Sequence, residues 1–226
     1  NMGGRTLAIA FNPQNPETIY AGSASGGLWR SYSAGVGAEV WKYVSTGFPV
    51  LGVSSIAIAP DDSNTMYIGT GEVYRYQAVG TGAASRATRG TYGIGVLKTT
   101  DGGITWEKCL DWSYNQRRGV WAVKVNPQNP NSVWAATTEG TYRSYDAGET
   151  WTQVHDVVMA MDLVFHQADS NIVILSCGNF GSQGHGIYRS IDGGTNWEKA
   201  AAGVPETFNG KALLAASTDF PNIILA

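Results

Sequence analysis

The residues best suited to chemistry are arginines interleaved with aromatic and amide side chains in three glycine-rich stretches. Residues 72–91 contain Tyr74, Arg75, Tyr76, Arg86 and Arg89, residues 111–119 contain Trp112, Tyr114, Arg117 and Arg118, and residues 177–186 contain Asn179, Phe180 and His185. Aromatic rings beside guanidinium and amide groups can stack on sugar rings or hold an acidic peptide. The stretches therefore predict a ligand-binding surface. Loops that only pack on one another or on neighbouring elements are the alternative.

Carboxylates that could catalyse hydrolysis are scarce in these stretches. Glycoside hydrolysis needs two of them, about 5 to 9.5 Å apart across the bond to be broken. The best acid is Glu72, followed by Asp111, and a lone carboxylate more often caps a loop. His155, His166 and His185 lack the spacing of metal ligands, and no Ser/His/Asp set is legible. We therefore predict no catalytic residue, no metal and no cofactor in this chain.

Composition narrows the class of protein and of partner. Fifteen Lys and Arg against eighteen Asp and Glu give a net charge of −3, so no overall field attracts nucleic acid. The glycine-rich stretches do not open a helix after a parallel strand, as a nucleotide-phosphate site requires. No apolar run reaches the roughly 20 residues of a transmembrane helix. Low charge with many Gly, Trp and Tyr residues favours short strands joined by tight turns.

An internal repeat organises the chain. Three segments align without gaps, TTDGGITW, SYDAGETW and SIDGGTNW, and their aspartates are Asp101, Asp146 and Asp192. Upstream of each lies an apolar strand, an Asn/Pro-rich turn and a second apolar strand, seen at residues 7–23, 55–71 and 122–138 and in degenerate form at 162–176 and 212–226. The repeat places Cys109 and Cys177 in non-adjacent units, so we expect buried thiols rather than a disulfide.

Each unit of about 45 residues is predicted to form four short antiparallel strands, the blade of a β-propeller. In the third unit we expect strands at about 120–126, 132–137, 141–144 and 150–154. The fold class is all-β. The predicted domain is a single propeller segment, residues 1–226, with blades at about 7–44, 54–109, 120–154 and 159–200 and a partial blade at 211–226. Because so few blades do not close a ring, we expect a segment of a larger propeller.

The repeated S-x-D-x-G-x-T-W motif has a structural explanation. Its Asp can accept backbone N–H bonds inside the tight turn, and its Gly supplies a positive φ. We expect Trp106, Trp151 and Trp197 to be buried between neighbouring blades. Parity of the strands predicts that these turns lie at the end of each blade opposite residues 72–91. The three aspartates are therefore interpreted as structural.

The motif resembles the Asp-box, or BNR, propellers, which include sialidases, xyloglucanase-type hydrolases, the sortilin ectodomain and a photosystem assembly factor. The first unit departs from the pattern, because SYSAGVGAEVW has Ser33 where Asp is expected, so its turn should be looser. Xyloglucanase-type enzymes carry a catalytic Asp just before a Gly-Gly pair, where this chain has Ala24. The sialidase signature Arg-Ile-Pro is absent, and Arg5 alone is a weak match to a sialidase arginine cluster.

The resemblance implies a non-catalytic binding or scaffold propeller of a secreted or cell-surface bacterial protein, from which a targeting segment has been removed. The ligand would be a glycan or a protein, or the rest of its own propeller or complex. Arg5 and Glu72 join the candidate ligand residues on the variable loop end. The alternative is a glycoside hydrolase, xyloglucanase-type or sialidase-like, whose remaining catalytic acid lies outside this chain.

Overall fold

The computed structural model describes residues 5–49, 52–73, 91–115, 117–178, 182–201, 203, 211–217, 219–220 and 223–226. Within these residues the chain forms strands and no helix, and therefore no helix that could cross a membrane. The strands are β1 (Thr6–Asn12), β2 (Asn15–Ser23), β3 (Gly27–Ser31), β4 (Lys42–Val44), β5 (Val53–Ile58), β6 (Met66–Thr70), β7 (Gly95–Thr99), β8 (Glu107–Asp111), β9 (Val120–Asn126), β10 (Asn129–Thr137), β11 (Gly140–Ser144), β12 (Thr152–His155), β13 (Ala160–Phe165), β14 (Val173–Cys177), β15 (Gly186–Ser190), β16 (Glu198–Lys199), β17 (Ala215–Ala216) and β18 (Ile224–Leu225).

Within each sheet, strands that follow one another in sequence pair with each other, and all the pairs are antiparallel. Strands β1–β4, β5–β8, β9–β12 and β13–β16 form four separate four-stranded sheets, which we call blades 1 to 4. Strands β17 and β18 form a two-stranded sheet, called the half-blade. Repeated four-stranded meanders of this kind are propeller blades. The predicted fold class is confirmed, and the strands predicted for the third unit match blade 3 to within three residues at each end.

The Asn/Pro-rich turns between the first two strands of a blade are closed by a side chain. Asn12 Oδ1 accepts the backbone N–H groups of Gln14 at 2.8 Å and Asn15 at 3.1 Å. Asn126 does the same in blade 3, at 2.8 and 3.2 Å. Asn side chains favour such turns because they mimic a backbone turn. This local bond explains why NPQNP recurs in the sequence.

The Asp-box turn joins the third and fourth strands and is closed by its carboxylate. Asp101 Oδ1 accepts the N–H groups of Ile104 and Thr105, both at 2.9 Å. Asp146 accepts from Thr150 N at 2.8 Å, and Asp192 accepts from Asn196 N at 2.9 Å. The predicted backbone hydrogen bonds are confirmed in all three turns.

These hydrogen bonds hold the carboxylates ionised. The pKa of Asp146 falls to about 2, chiefly because the Thr150 side chain donates to it. The pKa of Asp192 also falls to about 2, chiefly through the backbone N–H of Asn196. Hydrogen bonds to the charged form of a carboxyl group favour that form.

Blade 1 closes its turn differently, as its sequence predicts. Ser33 occupies the Asp position, and its Oγ donates to Val36 O at 2.9 Å. A hydroxyl can bridge fewer backbone groups than a carboxylate. The residue after it, Ala34, has a φ of 52°, which is unfavourable for a side chain with a Cβ atom.

The box tryptophans lie at the interfaces between blades. Trp106 packs on the core shared by blades 1 and 2, Trp151 on that of blades 2 and 3, and Trp197 on that of blades 3 and 4. All three are half-buried rather than buried, which corrects our expectation. Each indole sits at the open end of the interface beside its own turn, where the N–H groups of Trp151 and Trp197 bond turn carbonyls at 3.1 Å.

Each Asp-box turn also accepts a hydrogen bond from a side chain of the preceding blade. Arg30 of blade 1 donates through Nη1 to Gly102 O at 2.9 Å. The Tyr67 hydroxyl of blade 2 donates to Ala147 O at 2.8 Å, and Arg143 of blade 3 donates to Gly193 O. In all three cases the acceptor is the backbone carbonyl of the residue that directly follows the box Asp. The turn therefore connects two blades.

Both cysteines are unpaired, and they lie in blades 2 and 4. Cys177 is buried as expected, whereas Cys109 is half-buried, which corrects our expectation for that residue. Desolvation raises the pKa of the Cys109 thiol to about 12 and also raises that of Cys177. Both side chains therefore stay protonated thiols at neutral pH, as expected for packing residues.

Replacing Gly194 by Ala tests how closely the Asp-box turn of blade 4 packs against blade 3. Gly194 has a φ of +88°, and an added Cβ would lie 2.6 Å from Trp134 Cη2. We expect a loss of about 2 to 4 kcal/mol in the free energy of unfolding, from left-handed strain plus overpacking. Gly47→Ala is the matched control, because its φ is +74° with nothing within 4 Å of the new Cβ. It should cost only about 1 kcal/mol. Equal losses in urea titrations of the two variants would contradict this packing.

Candidate functional site

The ends of the strands divide the connections between two faces. Asp-box turns lie at one end. Described residues 24–26, 45–49, 52, 71–73, 91–94, 112–115, 117–119, 138–139 and 156–159 lie at the other end, which we call the loop face. Glu72 follows β6 directly, and Thr91 lies shortly before β7. Because β7 runs from the loop face to its box turn, the predicted separation of the two ends holds for the described residues of this blade.

A partly buried ion pair lies on the loop face between blades 1 and 2. Arg5 Nη1 and Nη2 donate to Glu72 Oε1 and Oε2, both at 2.6 Å. The Glu72 side chain is fully buried, whereas that of Arg5 is 55% exposed. The carboxylate therefore meets a planar guanidinium in bidentate geometry, the strongest arrangement for such a pair. Glu72 N also donates to Thr91 Oγ1 at 3.4 Å.

A tryptophan and a lysine lie close to this pair. Lys211 Nζ lies 3.7 Å from the centroid of the Trp121 ring, a cation–π contact. Burial lowers the pKa of Lys211, while the Glu72 carboxylate opposes that shift and Arg5 adds to it. The side chains of Arg5, Glu72, Trp121 and Lys211 form what we call the central cluster.

The floor of the central cluster is apolar. Trp121 is 9% exposed and packs with Met159 and Met161, which are buried beside it. Met159 has a φ of 58°. A non-glycine residue held in this region costs about 1 to 3 kcal/mol, and such residues concentrate at functional sites. This strain lies on the described part of the loop face.

A second group of side chains lies further out on the loop face. The Arg118 guanidinium stacks 5.6 Å from the Trp112 ring and 5.7 Å from the Tyr114 ring, and its Nη1 donates to the Tyr114 hydroxyl at 3.1 Å. Arg118 Nε lies 3.6 Å from Glu139 Oε2, an ion pair just beyond hydrogen-bond distance. Burial raises the pKa of Glu139, and Arg118 opposes the shift.

Trp112 differs from our expectation of a surface aromatic. It is 3% exposed and belongs to the core between blades 2 and 3, with an edge-to-face contact to Tyr142 at 5.6 Å. The Trp112 ring therefore packs against the Arg118 guanidinium from the side of the core, and a ligand cannot reach it. Tyr114, by contrast, is 75% exposed. Tyr114, Arg118 and Glu139, together with exposed Arg117, form the outer cluster.

The remaining sequence candidates fall into two groups. His185 is half-buried and lies directly before β15. Tyr74, Arg75, Tyr76, Arg86, Arg89, Asn179 and Phe180 lie outside the described residues. The structure thus brings together Arg5 with Glu72 and Tyr114 with Arg118.

Sequence reasoning missed Trp121, Lys211, Glu139 and Tyr92, which the structure places on the loop face. Trp121 is the second residue of β9, the first strand of blade 3, so the strand parity used for the loops could have found it. Glu139 lies between β10 and β11 and is open to the same argument. Tyr92 follows a long insertion and is 62% exposed. Lys211 precedes a degenerate repeat, which hides its position.

Three of the described acids near the loop face, Glu72, Asp111 and Glu139, are bound to cationic partners, whereas Asp156 is exposed. Glu72 is paired with Arg5, and the backbone N–H of buried Ala24 donates to Arg5 O at 2.8 Å. The Lys108 and Ser113 side chains lower the pKa of Asp111 to about 2. Within the described residues no group of three His, Cys, Asp or Glu side chains could hold a metal ion.

The fold and the turns together define the class of protein, which is a β-propeller with Asp-box turns. The BNR/Asp-box repeat family matches residues 97–108, the third strand and turn of blade 2. Xyloglucanase Xgh74A of Acetivibrio thermocellus is 26% identical over 237 residues, which cover 90% of this chain and 26% of that protein. A probable oligoxyloglucan-reducing end-specific xyloglucanase of Neosartorya fischeri is 25% identical over 217 residues, 87% of this chain and 24% of that protein.

Solved structures show the same fold. The GH74 xyloglucanase of Xanthomonas campestris superposes with a TM-score of 0.68 at 20% identity, over 96% of this chain and 33% of that one. YCF48 of Cyanidioschyzon merolae gives 0.57 at 12% identity, over 93% and 59%. The chain thus spans about a quarter of the length of the curated xyloglucanases it matches.

Separating Arg5 from Glu72 tests the ion pair. Arg5→Met leaves a fully buried carboxylate without its guanidinium, so we expect the free energy of unfolding to fall by about 2 to 3 kcal/mol, less than for a wholly buried pair because Arg5 is half exposed. The double variant Arg5→Met/Glu72→Gln should recover much of that loss, since the charge is gone. Urea titrations of the single and double variants measure both. Additive losses would show that the two side chains do not interact.

Proposed function

We propose that the loop face binds a xyloglucan-type polysaccharide without cleaving it. The observation that carries this proposal is the state of Glu72, the best-placed acid of the loop face, which is fully buried and bonded through both oxygens to Arg5. An acid in this state cannot reach a glycosidic oxygen unless the ion pair opens. By the resemblance to xyloglucanase-type enzymes, Ala24, two residues before the Gly26-Gly27 pair, matches the position at which those enzymes carry an acid.

The outer cluster supplies the means of binding. Tyr114 presents an exposed ring, and its hydroxyl is held by Arg118 at 3.1 Å. Tyr92 is a second exposed ring on the same face, and Arg117 is exposed beside the cluster. Tyr rings give large rigid contact area at small entropic cost, and guanidinium groups donate to sugar hydroxyls. Because two of the relatives are named xyloglucanases, a β-glucan that carries xylose is the glycan we propose.

Such a polysaccharide is too large to enter a cell, so the proposal includes a secreted or cell-surface location. The second candidate function is glycoside hydrolysis, with a remaining acid outside this chain, and it is favoured by the same xyloglucanase relatives. The two functions differ in what Glu72 does. In the binding proposal its carboxylate orients Arg5, whereas a hydrolase would use it to transfer a proton.

Binding and turnover are measured separately on the purified chain. We expect saturable binding of xyloglucan oligosaccharides by calorimetry, weakened about two- to tenfold in Tyr114→Ala, the equivalent of one aromatic contact. Tyr145→Ala is the matched control, because Tyr145 is also exposed and covered by an arginine, at 4.0 Å, but lies in an Asp-box turn at the opposite end. It should bind normally.

Release of reducing sugar is the second readout. We expect none from the chain or from Glu72→Gln. Turnover that disappears in Glu72→Gln would contradict the non-catalytic proposal and establish the hydrolase. Equal affinities of Tyr114→Ala and Tyr145→Ala for the oligosaccharides would show that the outer cluster does not bind the glycan.

A further inference from the structure

The outer cluster holds two guanidinium groups and one carboxylate. Arg117 is exposed, and the Arg118 and Glu139 side chains are 28% and 16% exposed. Glu139 Oε2 lies 3.6 Å from Arg118 Nε, whereas Arg117 forms no ion pair with any described residue. The three side chains therefore carry one net positive charge, and that balance depends on Glu139.

The Glu139 carboxylate and the Arg118 backbone are held by the same turn. Thr138 Oγ1 donates to Glu139 Oε1 at 3.3 Å and accepts the Gly119 N–H at 3.1 Å. Thr138 N donates to Gly119 O at 3.0 Å, and Glu139 O accepts from Gln153 Nε2 at 2.7 Å. Because Gly119 directly follows Arg118, these bonds fix the position of the acid relative to the arginine.

Two aromatic side chains also contact the Arg118 guanidinium. Its Nη1 donates to the Tyr114 hydroxyl at 3.1 Å, and its central carbon lies 5.6 Å from the centroid of the Trp112 ring. Its Nε is buried and makes no hydrogen bond to a described residue, so Glu139 balances the charge from beyond hydrogen-bond distance. A ligand that contacts the exposed part of Arg118 therefore comes close to the Glu139 carboxylate.

A guanidinium beside a carboxylate distinguishes sugar hydroxyls from acidic groups. A hydroxyl can accept from the guanidinium and donate to the carboxylate, whereas an ionised carboxylate can only accept. A ligand carboxylate at Arg118 would also be repelled by Glu139, and salt screens partly buried charges less than exposed ones. A charge placed against the wrong ligand is a common source of specificity.

We infer that Glu139 is a specificity-determining residue, which makes the outer cluster select neutral sugars over sugars that carry a carboxylate, such as uronic acids. The inference rests on the proposed function and narrows its ligand to an uncharged polysaccharide. Without the charge of Glu139, Arg117 and Arg118 would form a site with two positive charges, which suits a carboxylate ligand.

Glu139→Gln tests the inference, because it removes the charge and keeps the shape of the side chain. Calorimetry on the complete 226-residue chain uses two probes of similar length, a xyloglucan oligosaccharide and an oligogalacturonate. The parent chain should bind the oligogalacturonate about tenfold more weakly than the xyloglucan oligosaccharide. In Glu139→Gln the affinity for the oligogalacturonate should rise about ten- to a hundredfold, the equivalent of one charged hydrogen bond, and this gain should shrink as salt is added.

Asp156→Asn is the matched control. Asp156 is an exposed acid of the loop face, directly after β12, and forms no ion pair with a described residue. It lies close to Glu139, since a Cβ added to the next residue, Gly140, would be 3.4 Å from Asp156 Cα. The control removes the same charge from the same face and should change both affinities by less than about twofold, because exposed charges are well screened.

Equal, measurable affinities of the parent chain for the two probes would overturn the inference, whatever the variants do. An unchanged affinity of folded Glu139→Gln for the oligogalacturonate would also overturn it, as would an equal gain in Asp156→Asn. The proposed function fails separately. A parent chain that binds neither probe, beside a Glu139→Gln variant that binds the oligogalacturonate, would contradict xyloglucan binding and still support the role of Glu139.

Discussion

The carboxylate that closes the Asp-box turn is the interaction on which the rest of the structure depends. It accepts two backbone N–H groups in the turn of Asp101 and one in each of the turns of Asp146 and Asp192. A turn held in this way points the carbonyl of its next residue toward the preceding blade. There Arg30, Tyr67 or Arg143 donates to it. A local hydrogen bond thereby becomes a contact between sheets, which is what a propeller of small blades needs because neighbouring sheets share no backbone ladder.

Closure of the turns by the box carboxylates also places structural and binding residues at opposite ends of the blades. Because the box turns are fixed by their own bonds, the end of each blade that carries them has little freedom to vary. The opposite end carries connections of many lengths, the ion pair of Arg5 and Glu72, and the exposed ring of Tyr114. Binding groups are commonly placed on variable loops that a rigid scaffold positions. The proposed glycan site follows that division of roles.

Much of the fold could be predicted from the sequence because the repeat is local. The strands of blade 3 and the hydrogen bonds of Asp101, Asp146 and Asp192 follow from residues within a few positions of one another. The burial of Trp112 could not be predicted, since it depends on packing against Tyr142 of the next blade. Arg5 and Glu72 were both candidates, but their pairing spans 67 residues, and spacing along the chain carries no information at that range.

Stability as a function of pH tests most directly whether the box carboxylates hold the fold together. The pKa of Asp146 is lowered to about 2 in the folded chain, against about 3.9 for an unfolded one. Its contribution should therefore be complete above about pH 5 and lost as the pH falls toward 2. We predict that Asp146→Asn unfolds in less urea than the parent chain at pH 7 and that this difference shrinks below about pH 4. Asp61→Asn, which removes an exposed carboxylate in the β5–β6 connection and outside the Asp-box turns, should show no such change. A difference between Asp146→Asn and the parent chain that is absent at pH 7, or that stays constant down to pH 3, would contradict the account.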